Sequence, residues 1–307
     1  PYLRIILIAA PFFMSNYSFT AFARNDNAPS IAMIASLAGS SFNILFDYIF
    51  MFPLKMGFPG AALATALSPV VTICVCSTHY FGKNCQVRFR SCRLSFRHLL
   101  SCCSLGFSAF VGEMSSAVIT VVFNTLILGI TGNIGVAAYG VIANLSAVAM
   151  AIFNGLAQGT QPLISENYGR GNTAQVKQLL RLAVIVCLGI EALLLAGSWG
   201  MTDSLIAIFN SEQNASLLAY AHTGLRLYFL GFLFAGLNIL LIACFSAMDR
   251  ARPAIAGSLL RGAAAIVPAS IVLTHLFGIN GTWLSFLASE VITFAVILIL
   301  SLKTPLR

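Results

Sequence analysis

The sequence predicts an all-α integral membrane protein of nine transmembrane helices, part of a bundle with internal symmetry. Three observations predict it. Hydrophobic residues make up 59% of the 307-residue chain and charged residues only 8%, too little charge to cover a soluble surface. Apolar runs of about 18 residues or more, enough to cross a bilayer, follow one another with short polar breaks. A three-helix skeleton also occurs twice: Leu3-Arg4, Pro29 and Gly57-x-x-Gly60-x-x-Leu63 return as Leu225-Arg226, Pro253 and Gly278-x-x-Gly281-x-x-Leu284. In each copy a basic residue opens one run, Pro starts the next and a Gly pair breaks the chain before the third. Secondary transporters are commonly built from such repeats, with substrate held between the halves.

Taken in order, the first helix spans 3–22 and ends at Arg24-Asn25-Asp26-Asn27. The second covers 31–52, between Pro29 and Pro53, and the third covers 59–81 after Gly57. A basic segment follows, with Lys83, Arg88, Arg90, Arg93 and Arg97. The fourth helix, 98–128, is long enough to tilt or to extend beyond the bilayer. Thr131-Gly132-Asn133 separates it from the fifth, 134–160. A polar loop over 165–177 leads to the sixth, 178–200. The seventh (220–246), eighth (254–277) and ninth (281–302) are joined through Ser211–Asn214, Asp249–Arg252 and Gly278–Gly281. The chain thus divides into a three-helix part (1–82), a basic cytoplasmic linker (83–97) and a six-helix part (98–307).

The net charge of +8 does not mark a nucleic-acid binder, because the basic residues sit in short loops between apolar runs. They fall almost all on one side of the zigzag, which the positive-inside rule makes cytoplasmic. The expectation is therefore a multi-pass protein of the inner (plasma) membrane with a cytoplasmic C-terminus and residue 1 outside. An odd helix count and a one-sided repeat further suggest that three helices are missing upstream. Phe89, Leu94 and Phe96 alternate with Arg in the linker, which either lies on the anionic leaflet or is a plain connector. The eight Cys lack zinc-finger spacing.

Polar residues inside the spans are the functional candidates, since a mid-bilayer charge costs about 2.5–3.5 kcal/mol on insertion scales. Glu113 lies about midway along its helix, with Ser116, Thr120 and Asn124 on nearly the same face. Such a stripe can take up a proton or hold Na⁺; a structural carboxyl bonded to a neighbouring helix is the alternative. Asn43 and Asp47 share a face at i, i+4 and suit helix fastening as well as ion handling. Asn144, Asn154, Gln158 and Gln161 lie on the fifth helix, the last three as one stripe beside a Gly155/Gly159 packing face. These amides either line a cavity or bond between helices. Glu191 and Glu290 stand alone among aliphatic residues, and Arg226 reads as a snorkelling end residue. There is no Walker loop, and His79, His98, His222 and His275 are scattered without metal spacing. No Ser/His/Asp set stands out. The chain reads as a non-enzyme without cofactor or resident metal, Na⁺ at Glu113 excepted.

Gln158-Gly159-Thr160-Gln161-Pro162-Leu163-Ile164-Ser165-Glu166-Asn167-Tyr168-Gly169-Arg170-Gly171-Asn172 resembles the signature of the multidrug and toxic compound extrusion (MATE) family. Ala137–Ile142, Arg24-Asn25-Asp26, Asn43–Asp47 and Gly60–Thr65 are similar to further, weaker family stretches. The resemblance implies a two-lobe, pseudo-symmetric fold of six plus six helices, with this chain matching helices four to twelve. It implies a monomeric antiporter, bathed in membrane lipid, that exports cationic small molecules against inward H⁺ or Na⁺ as the lobes alternate access. It places Glu113 on the seventh helix, where family members carry a coupling carboxylate. The acid some members use in the tenth helix is absent from 220–246. A flippase for lipid-linked sugars would need a cationic cavity, yet the spans hold little beyond Arg226 and Arg261. A non-transporting truncated gene product is the other alternative.

Overall fold

The computed structural model describes residues 2–82, 85, 95–210 and 214–303, apart from the side chains of 98, 105, 108, 109, 115, 302 and 303. The described residues form helices and turns: α1 (Tyr2–Asn25), α2 (Pro29–Met51), α3 (Phe58–Tyr80), α4 (Phe96–Gly169), α5 (Thr173–Gly200), α6 (Thr202–Ala207), α7 (Ala215–Phe229), α8 (Phe232–Ala247), α9 (Ala251–Leu259), a π-helical turn (Leu260–Ala264), α10 (Ala265–Phe277) and α11 (Ile279–Lys303). The chain falls into two compact units, Pro1–Arg93 and Leu94–Arg307. Most of the basic linker, with Lys83, Arg88, Phe89, Arg90, Arg93 and Leu94, lies outside the described residues.

Among the described residues, seven helices are long and apolar enough to cross a membrane, or eight when α7 and α8, bent by 46°, count as one. The expected nine takes α4 as two spans. Inside α4 only Gly132 leaves helical backbone (φ 67, ψ −156). The seventh expected helix is broken near Gly231 into α7 and α8.

The sequence repeat is a repeat of backbone geometry. Gly57 (φ 58, ψ −141) and Gly278 (φ 59, ψ −140) adopt the same conformation before α3 and α11, in a region essentially open to glycine alone. Gly132 repeats it inside α4, again with a glycine three residues on. The second glycine of each repeated pair permits close approach. A Cβ at Gly281 would overlap the Leu273 carbonyl, and one at Gly60 would stand 3.0 Å from Phe50 and Met56.

Much of the predicted polar loop at 165–177 is helix, because α4 runs through the signature to Gly169. Its end explains the last letters of the motif. Gly171 takes φ 73; its N–H reaches the Tyr168 carbonyl, and the Asn172 N–H reaches that of Asn167. That is a Schellman stop. Asn172 then caps α5, its side chain accepting from the Gln175 N–H.

The first unit packs through small residues, with Ala23, Ala32, Ala35 and Cys76 buried together, as lipid-embedded helices do. The second is built on aromatics: the rings of Tyr228 and Phe286 stack at 4.3 Å beside Phe232, and Trp283 is fully buried. Leu7, Ile8, Leu193, Ile271 and Val272 lie exposed on the membrane helices, as lipid contact requires.

Candidate ion-coupling site

Three charged side chains are gathered in the interior of the second unit. Glu290, on α11, is 1% exposed. Arg261 donates from Nε to its Oε1 at 3.0 Å. Asn238, on α8, donates from Nδ2 to Oε2 at 2.7 Å and to the Glu290 backbone carbonyl at 2.9 Å. Arg261 belongs to the π-helical turn, and its Nη2 also lies 3.1 Å from the Met150 sulfur. Four residues beyond Ala264, Pro268 has no N–H to give to the Ala264 carbonyl. The ladder is therefore open where the π turn ends, and such turns recur at functional sites.

Glu191, on α5, is equally buried at 1%. Its Oε1 accepts from the Leu237 N–H at 3.0 Å and from the Cys187 thiol at 3.7 Å. Gly236 makes room: a Cβ there would come within 2.7 Å of the same oxygen. Leu237 and Asn238 are adjacent, so consecutive residues of α8 bond the carboxylates of α5 and α11.

With all three groups ionised, two negative charges stand against one positive, and only Glu290 is bonded to the guanidinium. Among the described residues, Glu191 Oε2, Asn238 Oδ1 and the Ser289 hydroxyl are also buried without a hydrogen-bond partner. Buried polar atoms are nearly always satisfied. A proton on Glu191 would remove its charge and turn one of its oxygens into a donor.

The residues singled out from sequence are placed differently. On α4, Glu113, Ser116 and Thr120 are exposed and Asn124 is half-buried. They keep their common helical face, with Thr120 Oγ1 bonded back to the Ser116 carbonyl at 3.0 Å. In the first unit, Asn43 donates to Thr65 Oγ1 at 3.4 Å, and Asp47 buries an oxygen without a hydrogen-bond partner. Asn144 donates to Gly140 of its own helix, while Asn154 and Gln158 are exposed and Gln161 half-buried. Among the described residues, a Cβ at Gly155 or Gly159 would meet nothing within 4 Å. Arg226 does more than snorkel, donating from Nε to Thr202 Oγ1 at 3.2 Å and from Nη2 to the Trp199 carbonyl at 3.3 Å. The Glu191–Asn238–Arg261–Glu290 group escaped sequence reasoning. Its one signal was two acids and an arginine in otherwise apolar spans.

A family model described as MatE matches residues 108–270. The chain is 28% identical over 304 residues to the multidrug export protein MepA of Staphylococcus saprophyticus, covering 98% of this chain and 66% of that protein. It is 30% identical over 311 residues to MepA of Staphylococcus aureus, with the same coverage. Its fold is similar to an outward-facing multidrug resistance MATE family transporter of the MOP superfamily, with a TM-score of 0.91, 20% identity, and 98% and 68% of the two chains covered. A mutant of the Vibrio cholerae MATE transporter VcmN superposes with a TM-score of 0.88 at 19% identity, covering 98% of this chain and 68% of that one.

Proposed function

The chain belongs to the MatE family, and from that premise we propose that it acts in export of organic cations and drugs, coupled to inward movement of H⁺ or Na⁺ by alternating access. It spans 66% of the length of the multidrug export proteins it matches. One observation carries the coupling: Glu191 and Glu290 are both buried, and only Glu290 is bonded to the Arg261 guanidinium. A buried excess of negative charge is expensive unless a cation is supplied, and a transported cation is one that comes and goes. Glu113 and its stripe are the second place for the coupling ion or the cargo, exposed within its unit. Cargo and ion drawn to the same negative charge oppose each other's binding, and that opposition is reciprocal.

The test is ethidium efflux from cells expressing the complete gene, with the pH and Na⁺ gradients collapsed in turn, for wild type and Glu113→Gln. Efflux that stops with one gradient supports the antiporter and names its ion. Efflux untouched by Glu113→Gln removes that residue from the mechanism. Absence of efflux in wild type defeats the reading.

A further inference from the structure

In the first unit a carboxylate, an imidazole and a thiol meet at the ends of α1 and α3. Asp26 follows α1, His79 lies in the last turn of α3, and Cys85 begins the connector. His79 Nε2 stands 2.7 Å from Asp26 Oδ2, and one ligand atom from each of the three residues lies within 4.8 Å of the others. The Asp26 and His79 side chains are only 4% and 8% exposed, and Cys85 is half-buried. We propose that Asp26, His79 and Cys85 form a binding site for a divalent transition metal, with Zn²⁺ the best match.

The donor set selects the metal. One nitrogen, one oxygen and one sulfur suit a borderline-soft ion, whereas Ca²⁺ and Mg²⁺ demand oxygens. Charge agrees as well. A dication, one carboxylate, one thiolate and a neutral imidazole sum to zero charge among themselves. The two buried ligands need little movement, and the thiol closes in from within 4.8 Å. Zinc bonds of about 2.0–2.1 Å in a tetrahedron hold N and O about 3.3 Å apart, so the His79–Asp26 pair opens by about 0.6 Å as the ion replaces the shared proton. Cys85 releases its thiol proton on binding. Being half-buried, it also offers the side from which the ion enters. Backbone bonds already hold two of the three ligands: Asp26 N–H to the Phe22 carbonyl at 2.9 Å, and Cys85 N–H to that of Gly82 at 3.5 Å. Three protein ligands leave a fourth position for water. A bound ion would clamp the α1–α2 turn to the end of α3 and to the start of the connector.

The test uses the purified full-length protein, stripped with chelator and titrated with Co²⁺. The expected result is one equivalent of Co²⁺ with a thiolate-to-cobalt charge-transfer band. Zn²⁺ displaces it, Cys85→Ser abolishes it, and His79→Gln weakens binding by roughly tenfold or more. A separate measurement on the wild-type protein needs no variant: thiol alkylation mapped by mass spectrometry, with and without Zn²⁺. Protection concentrated at Cys85 is expected. No saturable band, a band that survives Cys85→Ser, or protection that spares Cys85 would each overturn the proposal.

Discussion

Arg261 and Glu290 are separated by 29 positions in sequence, yet Nε and Oε1 are 3.0 Å apart, with Glu290 1% exposed and Arg261 23% exposed. This asymmetry has consequences. Removing the arginine leaves a buried anion held only by Asn238, a loss of about 3–5 kcal/mol for a broken buried pair. Removing the charge from Glu290 leaves a guanidinium nearer the surface. Arg261→Met is therefore expected to destabilise the protein more than Glu290→Gln, and the double variant to recover most of the loss. The fraction remaining monodisperse after heating in detergent measures this. A double variant as unstable as Arg261→Met alone would show that the pair is not the source.

Glu191→Gln separates fold from coupling. The glutamine carbonyl keeps the acceptor for the Leu237 N–H, so the stability loss should stay near about 1 kcal/mol. Under the proposed coupling, the negative charge that the cation would answer is gone. The protein should fold, reach the membrane and bind dye, while uptake of protons or Na⁺ on dye release falls away. Cation uptake equal to wild type would exclude Glu191 from the site.

The repeat and the breaks at its glycine pairs were legible because Gly and Pro act locally: Gly57 and Gly278 share φ and ψ as they share sequence spacing. The MATE-type signature was legible for the same reason, since Gly171 and Asn172 do their work within one turn. The charged core was not. Glu191 meets residues 236 and 237, and Glu290 meets 238 and 261, so each partner lies tens of residues away and only tertiary packing decides the pairing. Asp26 and His79, 53 positions apart, were hidden in the same way. Glu113 stood out in sequence because the other polar residues of its stripe lie on its own helix. That is the pattern a single chain reveals most easily.

The glycine pairs make a graded prediction. Gly278→Ala forces a side chain into a glycine-only conformation, at about 1–3 kcal/mol. Gly281→Ala drives a Cβ into the Leu273 carbonyl, and the α10–α11 hairpin must open. Gly60→Ala meets Phe50 and Met56 at 3.0 Å, where a few tenths of an ångström suffice. Thermal stability should fall furthest for Gly281→Ala and least for Gly60→Ala. The reverse order would mean that the hairpin is more pliant than its packing implies.

Two glycines of the signature should behave in opposite ways. Gly169 is the last residue of α4, and a Cβ there meets nothing within 4 Å. Alanine fits, and by reducing chain entropy it should stabilise by about 0.5 kcal/mol. Gly171 takes φ 73 and forms the Schellman stop. Alanine there must adopt a left-handed backbone, at about 1–2 kcal/mol, or release the bond from the Asn172 N–H and misplace the cap of α5. Gly171→Asn should recover part of the loss, because Asn tolerates that conformation. The heating assay on Gly169→Ala, Gly171→Ala and Gly171→Asn decides it. Equal losses for the two alanine variants would mean that the motif's glycines serve a contact outside this turn, since backbone conformation alone separates them.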